Sequence, residues 1–289
     1  MTSLLKTLKI KKPSDLVFNI LKYALLLFIV IITIYPIIWM VSGSLKDEAE
    51  FYNNIWGIPS KLRIENYMQA WSRAQLGVKY LNSIIVTVGF LVLLLPIASC
   101  AAYVIARIPD SAFPLKNAIY TLLLIGIVIP RGVLAIPIFQ VVVSIGLSNT
   151  RISLVLVYIA QFLSFSVFLM KGFYESLPKG LEEAARIDGC SHFKSFFYIM
   201  TPLTKPGLLT VTIFGGLNVW NEYFLASIFI RSNHLQTLPM GLANFVEDHN
   251  VYYPELFAAL AITTLPIIIL YIITQKEFMA GLTAGAIKG

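Results

Sequence analysis

SIIVTVGFLVLLLPIASCAAYVIA, Ser83–Ala106, runs through twenty-four residues without one charged side chain. At about 1.5 Å per residue a helix over this run is about 36 Å long, enough for a hydrocarbon core of about 30 Å. Outward from it the same signal recurs at Val17–Val41, Ala118–Val143, Ser153–Met170, Leu208–Ile230 and Leu256–Ile273, giving six predicted spans. Hydrophobic residues make up 57% of the 289 and charged ones 13%, about half the ~25% usual in a soluble domain. A soluble chain of this length has no core large enough to hide that much apolar surface. With mean hydropathy +0.78, the expectation is an all-α polytopic membrane protein.

Lysine and arginine set the expected orientation. With the N-terminus inside, fourteen of them fall in inner segments and seven in outer loops, while Arg131 lies within a span. Six spans then put both ends in the cytoplasm. The first apolar run is too long for a typical signal-peptide core of about 7–15 residues and reads as an uncleaved anchor. The net charge of +7 flanks apolar runs, which fits headgroups and topology and argues against nucleic acid as a partner. Cys100, Cys190 and the scattered His192, His234 and His249 have no metal-ligand spacing.

The long outer loop, Lys46–Asn82, mixes Phe51, Tyr52, Trp56, Tyr67 and Trp71 with charge, as a packed cap or an interfacial anchor would. Pro36, Pro96, Pro130, Pro137 and Pro266 fall inside predicted spans, a pattern tolerated where a neighbour or cavity takes up freed carbonyls. No internal repeat stands out. Three segments are expected: residues 1–16 as a cytoplasmic start, 17–277 as the membrane domain with an inner loop at 171–207, and 278–289 as a cytoplasmic tail.

That inner loop reads KGFYESLPKGLEEAARIDGCSHFKSFFYIMTPLTKPG, Lys171–Gly207. Pro178 suits a helix start, Glu182 and Glu183 its positive end, and Gly189 a left-handed stop. Ser191 caps a second short helix that Pro202 ends. The result is a helix–turn–helix elbow. Leu181, Ala184 and Ala185 share one face, and Phe193, Phe196 and Phe197 cluster on the second helix. Such a surface either docks a partner or packs on its own chain; spacing alone leaves both open.

Glu183-Ala184-Ala185, three residues, Gly189, nine residues, Ile199 and then Pro202 resemble the EAA loop of bacterial ABC importer permeases. The family places leucine before the proline, where this chain has Thr201. PSKLRIENYMQAW at Pro59–Trp71, VWNEYF at Val219–Phe224 and GLTAGAIKG at Gly281–Gly289 are similar to the maltose-type second permease, so the resemblance covers almost the whole chain. It implies the type I importer permease fold in a bacterial inner membrane, with the elbow as coupling helix. It implies a second, homologous permease, two ATPase subunits that carry ATP and Mg, and an extracytoplasmic sugar-binding protein, with membrane lipid around the spans. It implies ATPase coupling through Glu183, Ala184, Ala185, Asp188, Gly189, Phe193 and Pro202, and a tail that reaches between the ATPases. No G-x-x-x-x-G-K-[ST], G-x-S-x-G or H-E-x-x-H occurs in this chain, so no cofactor or catalytic residue is assigned to it.

Arg131 and Glu222 are charges deep within predicted spans, each costing about 2.5–3.5 kcal/mol on insertion scales unless it meets protein or a wet cavity. Similar depth allows them to pair; the alternative is a polar lining for substrate, to which Asn218, Asn221 and Trp220 would add amides and a stacking face. Gly215 and Gly216 permit close helix approach. Two other function classes compete: an ion- or proton-coupled carrier working alone, and a membrane enzyme using Glu222 as acid or base. The enzyme reading calls for a His, Asp or metal set within the spans, which the sequence lacks.

Overall fold

The computed structural model describes residues 13–246 and 251–286, some of them, Arg131 included, by backbone alone. Its elements are helices: α1 Pro13–Ser44, α2 Glu48–Asn53, α3 Glu65–Arg73, α4 Leu76–Arg107, α5 Lys116–Val128, α6 Ala135–Ser144, α7 Arg151–Ser176, α8 Gly180–Ile187, α9 His192–Ser195, α10 Thr201–Leu203, α11 Lys205–Trp220, α12 Phe224–Phe229, α13 Leu238–Leu242 and α14 Tyr253–Ala286. Two compact units result, Met1–Ala70 with His249–Ile262 and Trp71–Asp248 with Thr263–Gly289.

In the first unit α1 is apolar all round, and its most apolar stretch buries none of its residues within the chain, which suits lipid. The loop after it is a packed cap. Lys46 is buried with its ammonium donating to Asn54 O at 2.5 Å. Asn66 Nδ2 donates to the carbonyls of Ser44 and Lys46, at 2.8 Å each. Phe51 stacks on Tyr253 at 5.3 Å. Trp56 stays exposed and packs against Trp39 at 5.4 Å.

The second unit is built on α4 and α7. Val86, Phe90, Leu94, Ala98 and Ala102 repeat every fourth residue along α4 and are all buried, so one ridge of the helix faces protein. Phe90 meets Phe162 of α7 edge-on at 5.5 Å. α11 crowds the same ridge, and a Cβ on Gly215 would lie 3.0 Å from the Phe90 ring, so the two helices approach closely there.

Among the described residues, four helical stretches are long and apolar enough to cross a membrane: Leu16–Ser44, Leu76–Arg107, Arg151–Ser176 and Tyr253–Ile273. The predicted third span, Ala118–Val143, is instead two helices bent by 98°. Pro130 has no N–H to donate and holds Ile129 extended at ψ 122°, which ends α5 at Val128. Pro36, Pro96 and Pro266 leave their helices continuous. The predicted fifth span, Leu208–Ile230, is also broken, with Asn221–Tyr223 separating α11 from α12. Residues 278–286 of the expected tail continue α14, and 287–289 lie outside the described residues, as do 1–12 of the predicted N-terminal segment.

Candidate functional site: an elbow and a broken span

The elbow forms for the local reasons its sequence carries. Pro178 pushes Leu177 extended, at ψ 142°, and α7 stops. α8 opens with Glu182 and Glu183 in its first turn. It closes in a Schellman motif: Gly189 takes φ +80°, its N–H donates to Arg186 O at 3.0 Å, and Cys190 N–H donates to Ala185 O at 2.8 Å. Nothing lies within 4 Å of a Cβ added at Gly189, so the demand for glycine comes from the backbone rather than from space. Ser191 then caps α9, its Oγ accepting from Lys194 N–H at 3.3 Å.

Beyond α9 the chain departs from the expected single helix. Phe196–Met200 forms a π turn, and α10 follows directly. Pro202 sits at the start of α10, where its missing N–H costs nothing, so it does not end the helix. The π turn divides the aromatics. Phe196 is 5% exposed and wedged against Tyr103 at 5.0 Å, whereas Phe193 is 72% exposed and touches Phe197 at 4.6 Å. Ala185 is 4% exposed, so it packs inward while Ala184 and Glu183 face out. The outward surface also includes Ile187, 87% exposed, and Tyr198, 80% exposed. The sequence reading missed both, although Ile187 lies three residues after Ala184 on one helical face. Asp188 and Pro202 are exposed on the same elbow.

Beneath the elbow lies a charged junction that the sequence did not announce. Arg107, the last residue of α4, donates through Nη2 to the carbonyls of Tyr174 and Leu177 at 2.5 and 2.6 Å. Its Nη1 is 3.9 Å from Glu182 Oε2, and both side chains are nearly closed to solvent, at 4% and 9%. The Tyr103 hydroxyl faces Glu182 and Ser195. A polar cleft of about 320 Å³ opens beside them, lined by Lys116, Lys179, Glu183 and Arg186 among others. At its edge Lys116 pairs with Asp110 at 2.8 Å and holds that carboxyl below the usual carboxylate range.

The broken span organises the second region. Glu222 is half-buried and accepts three hydrogen bonds: Tyr158 O–H at 2.7 Å, Leu225 N–H at 2.7 Å and Ala226 N–H at 2.9 Å. Its carboxylate therefore caps α12 and ties it to α7. Asn218 and Asn221 turn their amide N–H groups back onto Phe214 O and Leu217 O. An open cavity of about 440 Å³ is lined by Leu217, Asn218, Asn221, Glu222, Tyr223 and Phe224. Trp220 faces elsewhere: it lines an apolar cavity of about 310 Å³ and meets Tyr80 edge-on at 5.9 Å. The Arg131 side chain, and with it the expected Arg131–Glu222 pair, lies outside the described residues. Tyr158 was not expected as a partner of Glu222, since nothing in its sequence neighbourhood marks it.

A bundle of apolar helices interrupted at Pro130 and at a polar triplet, with a compact elbow between spans, fits a membrane transport subunit. Residues 98–279 match the family described as binding-protein-dependent transport system inner membrane component, and the chain belongs to it. It is 33% identical to the diacetylchitobiose uptake system permease protein NgcG of Streptomyces coelicolor, over 95% of this chain and 91% of that one. It is 36% identical to the melibiose/raffinose/stachyose import permease protein MelC of Bacillus subtilis, over 88% and 91%. Among solved structures it resembles a chain of a bacterial ABC transporter involved in the import of the acidic polysaccharide alginate. The TM-score is 0.82 at 24% identity, covering 92% of this chain and 98% of that one. The fold is that of the type I importer permeases.

Proposed function

We propose that this chain is one of two transmembrane subunits of a sugar importer in a bacterial inner membrane, and that oligosaccharides are its substrate class. The observation that carries the reading is the elbow: a short helix closed by a Schellman glycine, with an apolar apron on a chain that has no nucleotide-binding motif. The names of the relatives support the substrate class, since each is a permease for a di- or oligosaccharide. The six spans are α1, α4, the α5–α6 pair, α7, the α11–α12 pair and α14, with both termini in the cytoplasm.

In this reading ATP and Mg are bound by two partner ATPases, a second permease completes the pathway, and a binding protein delivers sugar from outside. Glu183, Ala184, Asp188, Gly189 and Phe193, joined by Ile187 and Tyr198, form the ATPase-docking apron. Ala185 shapes it from within the elbow, and Pro202 is exposed beside it. Asn218, Asn221 and Glu222 line the sugar pathway at the break, with Tyr223 and Phe224 offering rings to sugar faces. Arg131 stands at the other break and is retained as a pathway residue. Trp220 contributes packing rather than a sugar contact. An enzyme or proton carrier built on Glu222 is disfavoured, because its two oxygens already accept three hydrogen bonds.

The test is co-expression of the chain with its neighbouring genes, followed by purification and uptake in proteoliposomes. An ATPase that co-purifies, and uptake of a labelled oligosaccharide that needs ATP and a binding protein, are expected. Uptake by this chain alone would overturn the proposal. Cysteine labelling should reach position 192 from the cytoplasm and position 60 from outside; the reverse pattern would overturn the orientation.

A further inference from the structure

The apolar cavity beside Trp220 takes no part in the sugar pathway. It holds about 310 Å³ and is lined by α4 from Tyr80 to Leu91, by α11 from Thr212 to Trp220, and by Pro266, Ile267 and Leu270 of α14. Tyr80 and Trp220 close one end. Among the described residues, the other polar side chains on its walls are Thr87 and Thr212, and the Thr212 hydroxyl donates to Leu208 O at 2.8 Å. A cavity with such walls stays dry and takes an apolar guest. Ile84, Val88 and Leu270 on its rim are 45%, 52% and 40% exposed, so it opens on the apolar flank of the spans.

Length and width select the guest. From Tyr80 to Leu91 the helix rises about 16 Å, and a hydrocarbon core of about 30 Å gives each leaflet about 15 Å. About 310 Å³ spread over that length makes a slot about 5 Å across. A helix with its side chains is about 10–12 Å wide and does not enter. Carbon atoms touch at about 3.5–4.0 Å, so a single hydrocarbon chain does. A column of rings marks one end: Trp71 stacks on Tyr80 at 6.0 Å, and Tyr80 meets Trp220 edge-on at 5.9 Å. Trp and Tyr collect at the headgroup level of a bilayer. That end therefore lies at the depth of a lipid's glycerol, and the slot runs from there toward the midplane.

We propose that this slot is a seat for one acyl chain of a membrane phospholipid, entered from the leaflet that carries the Trp71–Tyr80–Trp220 column. In the importer reading that leaflet is the outer one; the seat itself does not rest on that reading. Gly216 keeps the slot open. A Cβ there would lie 3.7 Å from Leu91 with no closer neighbour, so a larger side chain extends into the slot rather than into a wall. Trp220 is the last residue of α11, directly before the break at Asn221–Tyr223. A seated chain thus packs against the helix end that carries the polar triplet.

The probe is phosphatidylglycerol with brominated acyl chains, whose mass marks it and whose bromines quench tryptophan on contact. The full chain, stripped of lipid in detergent, is given equimolar probe and weighed by native mass spectrometry. One retained probe lipid is expected. Gly216→Leu should lose it, and so should Val88→Trp, which fills the slot from α4 and carries the arm if Gly216→Leu does not fold. Leu81→Trp, on an exposed face of α4 off the slot, should keep it. With Trp39, Trp56 and Trp71 replaced by phenylalanine, Trp220 should be quenched more by bromines near the glycerol end than by bromines near the methyl end. Retention by both slot-filling variants, no retention by the parent, or the reverse order of quenching would each overturn the seat. Retention by the chain alone but not by the assembled importer would give the slot to the second permease and overturn it as well. The weighing needs neither ATPase nor sugar, so its outcome is separate from the test of the importer reading.

Discussion

Glu182 and Glu222 are both drawn out of solvent in the same helical unit, yet they are held to different degrees. Glu222 takes three donors onto two oxygens, and its backbone contacts are the ones that begin α12. Glu182 has one oxygen 3.9 Å from Arg107 Nη1, and the Tyr103 hydroxyl faces its carboxylate. A saturated carboxylate fixes geometry, because any motion must break charge-assisted bonds. An ion pair at 3.9 Å imposes less. The broken span is therefore a tightly bonded frame for a polar cavity, and the elbow junction is the looser of the two.

The sharpest way to break this contrast is Glu222→Ala. It strips three donors of their acceptor and should destabilise the protein by about 3 kcal/mol, read as a lowered unfolding temperature in detergent. Tyr158→Phe, which removes one of the three, should cost about 1 kcal/mol. A Glu222→Ala protein that melts like the parent would place Glu222 in the same loose class as Glu182.

Gly189→Val comes next. A β-branched residue at φ +80° should cost about 1–2 kcal/mol locally and re-aim α9. Sugar uptake should be lost while membrane insertion persists, and full uptake would detach the apron from function. Ala184→Trp, on the exposed face, probes the same surface without disturbing the core. Ala185→Trp does not, since that position is buried.

Glu182→Gln leaves a guanidinium that is 4% exposed without its carboxylate but with its two carbonyl contacts, and should cost about 1–2 kcal/mol. A loss as large as that of Glu222→Ala would show the junction to be a rigid strut. The smallest effect concerns Asp110. Lys116 lowers its carboxyl, so any contribution is present above the ordinary carboxylate value and is lost only as pH falls through the lowered one. Asp110 is fully solvated, so the expected readout is its titration by carboxyl NMR, which Lys116→Gln should move upward.

The elbow was legible because its signals are local: Pro178, Gly189 and Ser191 each act through the backbone within a few residues. The aromatic division was not. A π turn at Phe196–Met200 rotates successive side chains by an amount that a period of 3.6 does not foresee, which sends Phe196 inward and Tyr198 outward. At the broken span, hydropathy averaged across Asn218–Tyr223 and reported one continuous helix, since the break takes only three residues.

Composition and periodicity determined on their own that the chain is a bundle of membrane helices, because about 20 apolar residues in a row have few other homes. Local chemistry determined the Schellman stop and the serine cap, because those contacts close within a single turn. Only the tertiary structure decided which glutamate is the more tightly bonded. Tyr158 and Glu222 are sixty-four residues apart, and Arg107 and Glu182 lie on separate helices. A hydrogen bond depends on distances of a few tenths of an ångström. Those distances are set by how α4, α7 and α11 pack, which no stretch of sequence states by itself.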